Sequence, residues 1–139
     1  MQRAVGASIV VAVALIVSTW LSQKSSQADL RLAVEELRAR AGELAVLSRA
    51  AEQRRLPDLA TEVAAHQLKD KIVDIRKELA DLQRDTQSPH ATRAVEIANG
   101  LATHADAIAA QRHADTSVSR QIGRSLQTLV AMETELRPK

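Results

Sequence analysis

The sequence predicts an all-α protein: an N-terminal transmembrane helix continuing into an antiparallel helical bundle or coiled coil of three long helices, or four if the last segment breaks. Three observations carry this. Residues 4–21 form an uncharged apolar run, the rest is charged and alanine-rich, and apolar residues recur there at spacings of three and four. The chain has one aromatic residue, Trp20, and no Phe, Tyr or Cys. A core must then be built from Ala, Leu, Ile and Val, which bury little area each; at roughly 25 cal/mol per Å² such a core is thin per residue. Thin cores favour long helices and oligomers.

The first element is the apolar run. About 18 residues rising about 1.5 Å each come close to crossing a hydrocarbon core of roughly 30 Å. Residues 1–24 therefore read as a transmembrane anchor, with Trp20 at the membrane interface. A removable signal peptide is the alternative, because Ser26 and Ala28 are small residues of the kind a signal peptidase accepts. The run exceeds the usual signal core, which favours the anchor. A three-residue tail ahead of the run is the layout of a signal anchor. That places the protein in the inner (cytoplasmic) membrane as a single-pass protein, with residues 25–139 forming a periplasmic body in contact with the lipid bilayer.

The body divides at two prolines. Over residues 27–56, Leu30, Leu37, Leu44 and Ala51 recur every seven, the seam of a helix packed on other helices. Pro57 interrupts, and Asp58 is suited to cap the next start. Over residues 59–85, Leu68, Ile72, Ile75, Leu79 and Leu82 alternate by four and three. Two segments of about 30 residues, each about 45 Å long as helix, predict a hairpin across the proline turn. Ser88 as N-cap with Pro89 as first helical residue starts the last segment. One register runs through it: Ile97, Leu101, His104, Ile108, Gln111, Asp115, Val118, Ile122, Leu129 and Met132. Unbroken phase favours one continuous helix, while the cap-type residues Asp115, Thr116 and Ser117 suit a break.

Chemistry-bearing motifs are sparse. Gly42, Gly100 and Gly123 are scattered and make no phosphate loop, and no nucleophile elbow or His-Glu-x-x-His motif occurs. The reading is non-enzymatic, with no cofactor and no metal. Glu62 and His66, one helical turn apart, read as a solvated pair before they read as ligands. His104, Gln111 and Asp115 form a polar layer on the seam, suited to fixing register or, alternatively, to lining a ligand pocket or titrating as a switch. A carboxylate beside His104 would hold it in its charged form.

Charge excludes one partner class. Nineteen basic and 17 acidic residues give a net charge of +2, with the signs interleaved along residues 69–81. Such mixing is a solvated helix face, and nucleic-acid binding would want clustered cations and stacking aromatics. Arg49, Arg54 and Arg55 alone form a small basic knot.

The expected function is a membrane-anchored structural or interaction protein that forms a homo-oligomer or docks another envelope protein through its seams. The layout of short tail, single span and coiled-coil body is similar to that of bitopic cell-division proteins and of the inner-membrane spanin subunits of phages, and the second likeness implies a lysis role. A ligand- or metal-sensing bundle signalling through a partner is the alternative.

Overall fold

The computed structural model describes residues 3–111 and 115–138; of these, the side chains of residues 3–17, Trp20 and Gln111 lie outside the description. The chain folds as four helices, α1 (Arg3–Glu52), α2 (Asp58–Thr86), α3 (Pro89–Gln111) and α4 (Thr116–Glu135), with no strand among the described residues. Each helix runs antiparallel to the next. The contacts Gln83–Thr92, Arg76–Asn99 and Lys69–Asp106 pair successively earlier residues of α2 with later residues of α3, and Arg38–Glu133 and Ser48–Ser119 do the same for α1 and α4.

The expected single-pass placement in the inner membrane is corrected: among the described residues no helix is long and apolar enough to cross a membrane. The described side chains of α1 begin at Ser18 and continue through exposed Thr19, Ser22, Gln23, Lys24, Ser25 and Gln27, groups that hydrocarbon would leave without hydrogen-bonding water. The side chains of the apolar run ahead of Ser18, and that of Trp20, which the sequence assigns to the membrane interface, lie outside the description. Among the described side chains the first buried one is Leu30, so the core-forming part of α1 begins there.

α1 ends at Glu52, ahead of the proline to which the sequence assigned the break. Arg54 takes a left-handed conformation at φ 50°, the Arg55 N–H donates to the Ala50 carbonyl at 2.9 Å and the Arg54 N–H to Ala51 at 3.1 Å. This Schellman arrangement satisfies carbonyls left open by the last helical turn. Pro57, at φ −58° and ψ 146°, is the N-cap of α2 and has no side-chain capping bond, so the capping role expected of Asp58 falls away. Asp58 instead stands in the first turn, where its charge suits the helix dipole. α2 closes on Gln87, again left-handed at φ 50°, whose N–H donates to Gln83. α3 begins at Pro89, and the Thr92 N–H donates to the Ser88 carbonyl at 3.1 Å.

The continuous last helix is also corrected. Asp115 is extended at φ −77° and ψ 144°, accepts from the Ser117 N–H at 3.3 Å and the Ser117 hydroxyl at 2.8 Å, and caps α4. The phase survives because Ile108 and Ile122 stand two heptads apart, so two separate helices present their apolar faces in one apparent register.

The core lies along the axis of the bundle. α1 supplies Leu30, Val34, Leu37, Leu44 and Leu47, α2 supplies Leu68, Ile72, Ile75 and Leu79, and α4 supplies Ile122, Leu129 and Met132. α3 contributes mainly alanines, with Leu101 and Ile108 its larger members. That alanine face lets α2 and α3 lie together along the most extensive helix pair in the molecule.

Two substitutions test the helix ends. Asp115→Ala should cost about 1 kcal/mol by urea denaturation, since it removes a cap; a continuous helix there would instead gain from alanine. Gln87→Gly should stabilise by up to about 1 kcal/mol, because relief of a left-handed side chain exceeds the entropic cost of glycine.

Candidate functional site

Most of the heptad residues are used up inside the chain. Leu30, Leu37, Leu44, Leu68, Ile72, Ile75, Leu79, Leu101, Ile108, Ile122, Leu129 and Met132 are buried, and Leu82, Ile97 and Val118 pack half-buried at the flanks. These seams are therefore not on the outer surface of the bundle.

The polar layer is not assembled. His104 is half-buried on α3, Asp115 is exposed at the start of α4, and the Gln111 side chain lies outside the described residues. Burial lowers the His104 pKa and favours its neutral form, the reverse of the charged state expected beside a carboxylate. The Asp115 carboxyl is held below its ordinary range by its bonds to Ser117. Its acceptor capacity is engaged in capping, so it lines no interior pocket with His104. Glu62 is half-buried and His66 exposed, and among the described residues no group of three or more His, Asp or Glu is placed to hold a metal ion.

The polar contacts that do join helices were not marked by heptad spacing. Ser48 is fully buried, and its hydroxyl meets that of Ser119 between α1 and α4. Glu133, largely shielded from solvent, lies 2.8 Å from Arg38 of α1 and 3.6 Å from Arg137 of its own helix. Thr61 is buried and returns its hydroxyl to the Pro57 carbonyl at 3.2 Å. Ser48 and Glu133 sit beside the seam, where apolar periodicity is silent, whereas Thr61 stands in the register of Leu68 and Ile75 and bonds to the N-cap of its own helix.

At the α1–α2 end the surface turns apolar. Leu56 in the turn is 40% exposed, and Leu59 and Val63, one helical turn apart on α2, are 70% and 48% exposed. Leu59 and Val63 lie on the side of α2 opposite its buried Thr61, Ala65 and Leu68, so they stand outside the core face of this helix. Charges border this stripe: Arg49, Arg54 and Arg55 come from the end of α1 and the turn, while Asp58 and Glu62 come from the first turns of α2. None of these five forms an ion pair among the described residues. The basic knot seen in the sequence is thus half of a two-signed rim around an apolar strip. No family of known proteins matches the chain, and no curated protein or solved structure does either.

The burial of His104 on α3 sets the direction of a pH response. Its folded pKa lies below the unfolded value of about 6.5, so its contribution to stability is complete above that pH and is lost as pH falls toward the folded pKa. Urea melts between pH 8 and pH 5 should show this loss in the parent, and His104→Gln should flatten that part of the profile.

Proposed function

We propose that this chain is a structural or interaction protein, a four-helix bundle that associates with a second copy of itself through the hairpin end of α1 and α2. The supporting observation is the exposed strip Leu56, Leu59 and Val63; among the described side chains most other large apolar residues are buried, with Leu21, Leu32, Val46 and Val130 exposed elsewhere. Leaving such side chains in water forgoes roughly 25 cal/mol for each Å² that a partner would cover.

The charges favour a second copy as the occupant. Around a two-fold axis through the strip, the basic side of one chain, Arg49, Arg54 and Arg55, faces the acidic side of the other, Asp58 and Glu62. An isologous interface requires that self-complementarity, and rim charges of opposite sign select orientation more than they add affinity. The strip is small, so the association is weak and concentration-dependent.

Sedimentation of the full chain over a range of concentrations tests this reading. The parent should move from monomer to dimer as concentration rises, and more weakly at high salt. Leu59→Ser with Val63→Ser should remain monomeric with an unchanged melting temperature, because both side chains are exposed in the monomer. A parent that stays monomeric throughout, or a double variant that dimerises like it, would refute self-association at this end.

A further inference from the structure

The bundle is closed unevenly. α4 packs along α1, toward which it turns Ile122, Leu129 and Met132, but it touches α3 only sparsely although the two are consecutive in the chain. Between the start of α3 and the end of α4 this leaves a groove of about 610 Å³, within the range of about 300–1,000 Å³ usual for small-molecule sites.

Two arginines line this groove, Arg93 from α3 and Arg124 from α4. Both are exposed, and neither guanidinium has a hydrogen bond or ion pair among the described residues. That separates them from Arg38, Arg40 and Arg84, each of which meets a carboxylate. The acidic group lining the groove among the described residues is Glu135, and its Oε2 lies 3.7 Å from His90 Nδ1, away from the two guanidinium groups in partnership. Two cations on one wet groove repel each other, and among the described residues no carboxylate is ion-paired with either.

The first turn of α3 adds to the same field. Pro89 opens the helix at the groove's edge, and the free N–H groups of a first turn carry partial positive charge. Guanidinium forks on two helices, with the amide of Gln127 beside them, match the several acceptor oxygens of a tetrahedral anion better than a single carboxylate would.

We propose that the α3–α4 groove is a phosphoryl-binding site, in which Arg93 and Arg124 bridge the oxygens of a phosphate, free or carried by a small phosphomonoester. Binding would tie α4 to α3 along the edge that the apolar core leaves thin. This site is separate from the hairpin end and stands whether or not the chain dimerises.

Calorimetric titration of the full chain with inorganic phosphate and with glycerol 3-phosphate, at fixed ionic strength, tests the proposal. Saturable binding of either is expected, together with a higher melting temperature. Equal affinities would identify the free anion as sufficient, and tighter binding of the ester would identify a carried phosphoryl group. Arg93→Gln and Arg124→Gln should each weaken binding about tenfold or more, as loss of a charge-assisted hydrogen bond does, while Lys71→Gln at an exposed position of α2 should leave it unchanged. Both groove arginines are exposed, so circular dichroism of the variants should match the parent. Absence of saturable binding, or affinity retained in the Arg93→Gln/Arg124→Gln double variant, would overturn the site.

Discussion

The apolar face of α1 between Leu30 and Ala51 is the surface on which the rest of the bundle is organised. Leu30, Val34, Leu37, Leu44 and Leu47 are buried along it, and both α2 and α4 pack against that one helix. α3 reaches α1 only sparsely and is held chiefly by α2. The order of dependence therefore runs from α1 to α2 and α4, and from α2 to α3. A chain without Phe or Tyr cannot fill a wide interior, and Ala91, Ala94, Ala98, Ala105 and Ala109 answer this by letting α3 lie close to α2. Close packing there leaves less side-chain volume to reach across to α4, and the α3–α4 edge stays open as a consequence.

Much of this architecture was legible in the residues. The breaks near Pro57 and Pro89, the antiparallel hairpin, and the inward face of each segment follow from proline chemistry and from period alone. The end of α1 was misplaced because a Schellman closure built on Arg54 carries no glycine to announce it. The break at Asp115 was outvoted by phase: a loop that preserves two heptads between Ile108 and Ile122 is invisible to periodicity, and cap chemistry was the better guide. The charge state expected for His104 assumed a continuous helix carrying Asp115 inward, and fails with it.

The candidate sites were less legible for a physical reason. Leu59 and Val63 are apolar residues on the wrong side of an amphipathic helix, and a seam search discards what falls off its register. Arg93 and Arg124 lie far apart in sequence within an interleaved pattern of charge. Only the fold shows that they share a groove.

Charge in this protein serves arrangement more than stability. Arg40–Glu43, Lys77–Asp74 and Arg84–Asp81 are exposed pairs within single helices, a class worth a few tenths of a kcal/mol each at most surfaces. Lys69–Asp106 and Arg38–Glu133 differ in joining helices distant in sequence. A slide of α3 along α2, or of α4 along α1, would keep alanine against leucine with little apolar penalty, since small side chains make shallow ridges. The same slide would separate Lys69 from Asp106 and Arg76 from Asn99, or Arg38 from Glu133 and Ser48 from Ser119. In a core this smooth, polar contacts at its margin discriminate between registers, and it is the pairs joining two helices, Lys69–Asp106 and Arg38–Glu133, that can do so, whereas pairs within one helix are unchanged by a slide.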